Sequence, residues 1–347
     1  MSRPAGAGGA PVLLVGGLLG LAAGGLGYAL VRGLVFLPAA GRAVARMERG
    51  AEDLVSNERV DWGVTDPAAD ERRNGGHSPG SRLEQKRAAR KLQLAAGALA
   101  FSVLADSGLE HYRGGFYNRL MYLAPAVSAT VLAASAGGIA GIGSRRPSTG
   151  AYAASVLTGL VGSGFHVRNV AKREGGWRWL NLFYGAPLAA PMGLVFAGMF
   201  GLAAQSLDSD KEGWNRGLEA SSSRWLALLA AAGLAGTSGE AALLHFRGAF
   251  HDPYMFLPVI VPPLAATAVA AETLAPRAGT RAVAMALLRL NWAVGSAGMA
   301  FHAYGVQRNM GGWRNWSQNL LQGPPLPAPP SFTGMALAAE AALDLQR

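Results

Sequence analysis

The sequence predicts an all-α, polytopic membrane protein with one N-terminal transmembrane helix followed by two parallel-repeat four-helix units, about nine spans in all. Three observations predict it. Half of the 347 residues are hydrophobic, only 15% are charged and 48 are glycine, a balance unlike that of an ordinary soluble domain. Several continuous apolar stretches approach or exceed the roughly 20 residues that cross about 30 Å of hydrocarbon as helix. Such a span must satisfy its own backbone groups, and continuous apolarity favours helices over the alternating strands of a barrel. Finally, two pieces of sequence recur in order. His111-Tyr-Arg-Gly114 returns as His245-Phe-Arg-Gly248, and the run from His166 through Gly175-Gly-Trp-Arg178 returns from His302 through Gly311-Gly-Trp-Arg314. The two offsets, 134 and 136 residues, mark a duplicated unit.

Taken in order, the expected spans are 11–31, 92–110, 120–142, 149–167, 183–205, 225–246, 255–275, 282–303 and 328–346. Only Arg3 precedes the first, and no small-residue cleavage site ends it, so it reads as an anchor and not as a removed signal. The organisation is an N-terminal transmembrane helix in 1–40, a polar loop in 41–91, a first four-helix repeat in 92–206 and a second in 207–347. Within the loop, 40–50 continues a helical pattern suited to the membrane interface, whereas Asn74-Gly-Gly and Pro79-Gly read as turn signals. Pro324-Pro-Leu-Pro-Ala-Pro-Pro330 reads as a stiff connector into the last span. Glycine and alanine within the spans let helices approach closely, which is how packing holds helices together in lipid.

Lysine and arginine are more numerous on the side of the 41–91 loop, which places that side in the cytoplasm and the repeated histidines at the periplasmic face of a bacterial-type inner (plasma) membrane. Most of the excess sits in that one loop, and the short loops taken alone lean slightly the other way. The net charge of +10 is distributed around spans, so anionic lipid headgroups account for it more simply than nucleic acid does. There is no cysteine, which excludes disulfides and any cluster ligated by this chain's own thiolates.

The matches extend beyond the two strings. Asp106 and Glu240 lie five positions before His111 and His245; Asn118 and Asp252 lie seven after, and Met121 and Met255 ten after. Pro125 and Pro258 follow in the next span, Asn181 matches Asn319, and Gly185-Ala-Pro187 is answered by Gly323-Pro324. An even number of crossings per unit puts His111, His166, His245 and His302 at one membrane face. Three roles are open to them: axial ligation of haem b, lining of a quinone pocket in which imidazole trades a proton with the ring oxygens, or capping of helix ends and loop backbone.

Asp106 and Glu240 sit about 7.5 Å along the helix axis from their histidines. A carboxylate inside a span is costly unless paired, hydrogen-bonded or wetted, so proton handling and a clasp to a neighbouring arginine or histidine are its two readings. Arg113, Arg247, Trp177, Arg178, Trp313 and Arg314 form an aromatic, basic rim suited to lipid headgroups or a docked protein. His251, whose counterpart is Tyr117, and His77 have no partner in the duplication.

No phosphate loop, zinc-protease helix, lipase elbow or dinucleotide fingerprint occurs in a fitting context. Ser206-Leu-Asp-Ser-Asp-Lys-Glu misses the calcium-loop spacing and reads as a connector. The leading expectation is a membrane subunit of an oxidoreductase complex, not an enzyme alone. It would exchange electrons and protons with quinone, with haem b as a further cofactor, and dock a soluble or peripheral redox subunit, beside other membrane subunits. The alternatives are a transporter that uses the interface between repeats, and a membrane scaffold or assembly subunit.

Overall fold

A computed structural model describes residues 79–207 and 219–346. Ten α-helices occur among them. The first five are α1 (Pro79–Arg113), α2 (Leu123–Ala140), α3 (Arg145–Ala171), α4 (Trp179–Tyr184) and α5 (Met192–Leu207). The next five are α6 (Glu219–Arg247), α7 (Leu257–Leu274), α8 (Thr280–Arg308), α9 (Trp316–Gln322) and α10 (Pro330–Asp344). The element order therefore recurs: a long helix, an 18-residue helix, a second long helix, a short one and a buried one. Short 3-10 turns, Arg119–Tyr122 and Pro253–Phe256, lead into α2 and α7 at matching places.

Five helical segments are apolar and long enough to cross a membrane: Arg82–Arg113, Arg119–Ala140, Ser222–Arg247, Pro253–Leu274 and Thr280–Arg308. The described residues are thus all-helical and consistent with a polytopic membrane protein. The expected spans 92–110, 120–142, 149–167, 225–246, 255–275 and 282–303 coincide with α1, α2, α3, α6, α7 and α8, apart from their ends. Those at 11–31 and the interfacial helix at 40–50 lie outside the described residues, as do His77 and the acidic stretch that follows Leu207.

Three expectations need correction. The loop does not reach residue 91, because α1 starts at Pro79, where proline's missing N–H costs a helix nothing. Its first turns carry exposed Arg82, Glu84, Lys86, Arg87 and Arg90 and become apolar only after Lys91. The span expected at 183–205 is broken: α4 ends at Tyr184, residues 185–191 are irregular, and α5 starts at Met192. In place of the last span stands α10, whose 15 residues extend only about 22 Å, less than the hydrocarbon thickness.

The two short helices α5 and α10 are the most buried. Glycines set their closeness to neighbours. A β-carbon on Gly159 of α3 would lie 2.8 Å from the Pro191 carbonyl oxygen, and one on Gly295 of α8 would lie 2.9 Å from that of Pro329. Around α10, Gly334 meets Leu99 and the backbone of Ala95 on α1, and Met335 fills the space left by Gly233 on α6. Lys91 of α1 bonds both Glu340 (3.1 Å) and Asp344 (2.9 Å) of α10, and Arg281 of α8 reaches Asp344 (3.1 Å) and the Leu343 carbonyl (2.8 Å). The last described element is thereby tied to the first one described.

A second device appears in α7. Pro262 and Pro263 lie inside this helix and cannot donate to the carbonyls one turn back, those of Pro258 and Val259. Ser238 of α6 supplies the missing donor, with its hydroxyl 2.8 Å from Pro258 O and 3.5 Å from Val259 O. A neighbouring hydroxyl is how a membrane helix tolerates proline.

The helix ends of α1 and α6 are also duplicated. The Phe116 N–H returns to His111 O (3.0 Å) and that of Phe250 to His245 O (3.1 Å). Both turns need left-handed backbone, at φ 68° for Gly115 and φ 56° for its counterpart Ala249. Glycine accepts this region freely and alanine does not. Ala249→Gly should therefore stabilise the folded protein by about 1 kcal/mol, read as a higher thermal midpoint in detergent, whereas Gly115→Ala should lower it.

Candidate functional site at the histidine end

Each repeated histidine closes one loop. His111 Nδ1 lies 2.6 Å from the Met121 carbonyl oxygen and His245 Nδ1 lies 2.7 Å from that of Met255. His166 Nδ1 lies 2.6 Å from Pro187 O and His302 Nδ1 lies 2.7 Å from Pro325 O. A carbonyl oxygen can only accept, so in all four rings Nδ1 carries the proton and donates. The neutral imidazole then holds its lone pair at Nε2. His166 and His302 bond the irregular segments that lead into α5 and α10, so each supplies a donor to backbone that has left its helix. Pro187 thus corresponds to Pro325, one residue beyond the match visible from Gly323-Pro324.

The repeated asparagines and Asp252 are also engaged with backbone. Asn118 accepts from Leu120 N (3.0 Å) and Asp252 from Tyr254 N (2.9 Å), each opening its 3-10 turn. Asn181 donates to Gly176 O (2.7 Å) and Glu174 O (2.9 Å); Asn319 donates to Gly312 O (2.8 Å) and Met310 O (3.2 Å). These amides hold the Gly-Gly-Trp-Arg loops, whose glycines all have positive φ. Trp177, Arg178, Trp313 and Arg314 project from those loops and are exposed. His251 donates to Gly248 O (3.0 Å) within its own turn.

Proximity relates the histidines in pairs. His111 and His166 are within electrostatic reach of one another, as are His245 and His302. Asp106 acts electrostatically on Glu240 across the two copies; Glu110 and Arg113 act on Asp106, and Arg247 acts on Glu240. Both acids are half-buried, and neither makes a hydrogen bond or ion pair among the described residues. The clasp to a neighbouring arginine or histidine is therefore not formed as a direct contact. Among the described residues no cluster of three or more histidines and acids is arranged to hold a metal ion.

The arginines differ between copies. Arg247 lies over the Phe183 ring, 5.0 Å from its centroid, and 5.9 Å from that of Tyr184; Phe246 closes on Phe183 at 5.9 Å, edge to face. Arg113 instead pairs with Glu110 one turn back on its own helix. Beside it lies a largely open depression of about 790 Å³, lined by Tyr112, Arg113, Gly115, Leu321, Gln322 and Gly323. Phe183, Tyr184, Glu110 and Gln322 carry no repeated signature, so comparing the copies for likeness passes over them. The signal that finds them is the reverse one, divergence at equivalent positions beside a repeated arginine.

No protein-family model matches this sequence, and no curated protein or solved structure matches it either.

Proposed function

We propose that the chain is the membrane subunit of an oxidoreductase complex that exchanges protons and electrons with quinone and docks a soluble redox subunit. The observation that carries this reading is the shared tautomer of the four histidines. An imidazole whose Nδ1–H is held by a carbonyl presents a basic Nε2 in a fixed direction, the arrangement in which imidazole receives a proton or ligates a metal. Quinol oxidation releases two protons with its two electrons. His111, His166, His245 and His302 would receive protons at Nε2, and Asp106 and Glu240, near one another and without fixed partners, would hold them next. The electrons need an acceptor held by another subunit or a haem b, for which a histidine pair would supply the axial nitrogens. Trp177, Arg178, Trp313 and Arg314 form the rim on which a peripheral subunit would dock.

In this reading the chain is built as two parallel four-helix units after an anchor in 1–40 and a loop that ends where α1 begins, with the histidine face periplasmic. One observation favours transport as a second reading: Asp106 and Glu240 approach across the two copies, where a path between repeats would run. The test is an absorption spectrum of the native complex before and after dithionite, together with extraction of bound quinone. Quinone recovered with a co-purifying redox subunit is the expected result. A complex that yields no quinone, haem or redox partner, yet supports solute uptake dependent on Asp106 or Glu240 in vesicles, overturns the redox reading in favour of transport.

A further inference from the structure

The two copies of the repeat differ in what surrounds the repeated arginine. In the second copy the guanidinium of Arg247 is covered by the Phe183 ring and flanked by Tyr184 and Phe246. At the equivalent place Phe183 is replaced by Leu321, Tyr184 by Gln322 and Phe246 by Tyr112, and the open cavity of about 790 Å³ stands beside Arg113. This volume lies within the range of about 300–1,000 Å³ typical of small-molecule sites. The backbone around the two places is similar but not identical: the helix ends and the 3-10 turns after them match, whereas the segment from Gly311 to Asn319 is two residues longer than that from Gly175 to Asn181 and carries its own 3-10 turn, Gly312–Asn315. Leucine and glutamine beside Arg113 fill less of the space over the arginine than phenylalanine and tyrosine do in the other copy.

We infer that this cavity binds a flat, uncharged ring, a quinone headgroup, in the position that Phe183 takes over Arg247 in the other copy. The charge balance points the same way. Glu110, which stands where the second copy has Leu244, neutralises Arg113 and so removes the attraction that an anionic headgroup would need. Guanidinium hydrogen bonds lie in the plane of the group, so the pair with Glu110 leaves its flat faces open to a ring. The Gln322 amide and Tyr112 hydroxyl add a donor and an acceptor on the cavity wall, suited to ring oxygens. Leu321 offers an apolar surface, and Gly115 and Gly323 keep the wall free of β-carbons. This site deepens the quinone reading proposed above and rests on it only for the chemical identity of the ring.

The test copies one half of the protein onto the other. The purified full chain in detergent is photolabelled with an azido-benzoquinone bearing a ten-carbon tail, and separately with azidonaphthalene, a ring without redox chemistry. Saturable quinone labelling is expected at Tyr112–Gly115 and Leu321–Gly323. Leu321→Phe with Gln322→Tyr rebuilds the closed arrangement and should weaken it at least about tenfold. Phe183→Leu with Tyr184→Gln opens the other copy and should add labelling near Arg247, which keeps the inference testable should the first variant fold poorly. Equal labelling of wild type and the closing variant, or none gained in the opening variant, overturns the site while leaving the quinone reading intact. Naphthalene labelling that follows the variants without quinone labelling retains a ring site and overturns its quinone assignment. If neither probe labels the cavity, the site falls.

Discussion

Gly295→Ala should unfold the packing of α8 against α10 at a cost of about 1–3 kcal/mol or more. The added β-carbon would stand 2.4 Å from Thr333 Oγ1 and 2.9 Å from both the Pro329 carbonyl oxygen and the Thr333 nitrogen. Two of these three atoms are backbone, so a rotamer change cannot relieve the clash. The helices would have to separate along the face that buries α10, where a small residue permits the close approach on which helix packing in lipid depends. Gly164→Ala is the control. It makes the same chemical change within α3 but meets nothing within 4 Å, so it should be neutral or stabilise by up to about 1 kcal/mol through helix propensity. Thermal midpoints of both variants in one detergent read the difference, and equal midpoints would show that the α8–α10 contact yields without cost.

Replacing both His166 and His302 by alanine should cost about 1.5–4.5 kcal/mol in total: about 0.5–1.5 kcal/mol at the exposed Pro187 carbonyl, and about 1–3 kcal/mol at the partly buried Pro325 carbonyl, which is left without a donor. The asparagine variants separate the two roles of the ring. Asparagine carries an N–H donor close to the position of Nδ1 but no basic nitrogen in place of Nε2. His166→Asn with His302→Asn should regain much of the lost thermal stability while quinone-linked electron transfer remains defective. Electron transfer at the wild-type rate in a stable asparagine variant would assign these histidines to architecture alone.

The helices were legible where apolarity was continuous and long, as in α2, α7 and α8. Where two signals competed, apolarity misled. Gly185, Pro187 and Pro191 are breakers, yet the surrounding leucines, alanines and phenylalanines read as one span, and the chain bends there because histidine and glycine make a bend affordable. Pro79 opens a helix in a stretch that looked like a turn, since the same residue serves both contexts. The repeated polar positions were all visible; their tasks were not. Asn118 and Asp252 bond an N–H two residues on, a local pattern open to sequence reasoning. The bonds from His166 and His302 cross 21 and 23 residues, and the approach of Asp106 to Glu240 joins helices whose packing no local periodicity specifies. The cavity beside Arg113 was hidden for a different reason: it exists where the copies disagree.

The salt-bridged contact between α1 and α10 also has a consequence in time. During synthesis Lys91 emerges 249 residues ahead of Glu340 and 253 ahead of Asp344. At about 5–20 residues per second the ribosome needs roughly 12–50 s to deliver those acids. Throughout that interval a membrane-length helix carries an ammonium group that lacks its final counter-ions, and the groove that receives α10 stands open. Until then Lys91 stands beside the exposed Arg87 and Arg90 at the polar start of α1, where water solvates its ammonium, and the ion pairs to Glu340 and Asp344 close only once α10 has been made.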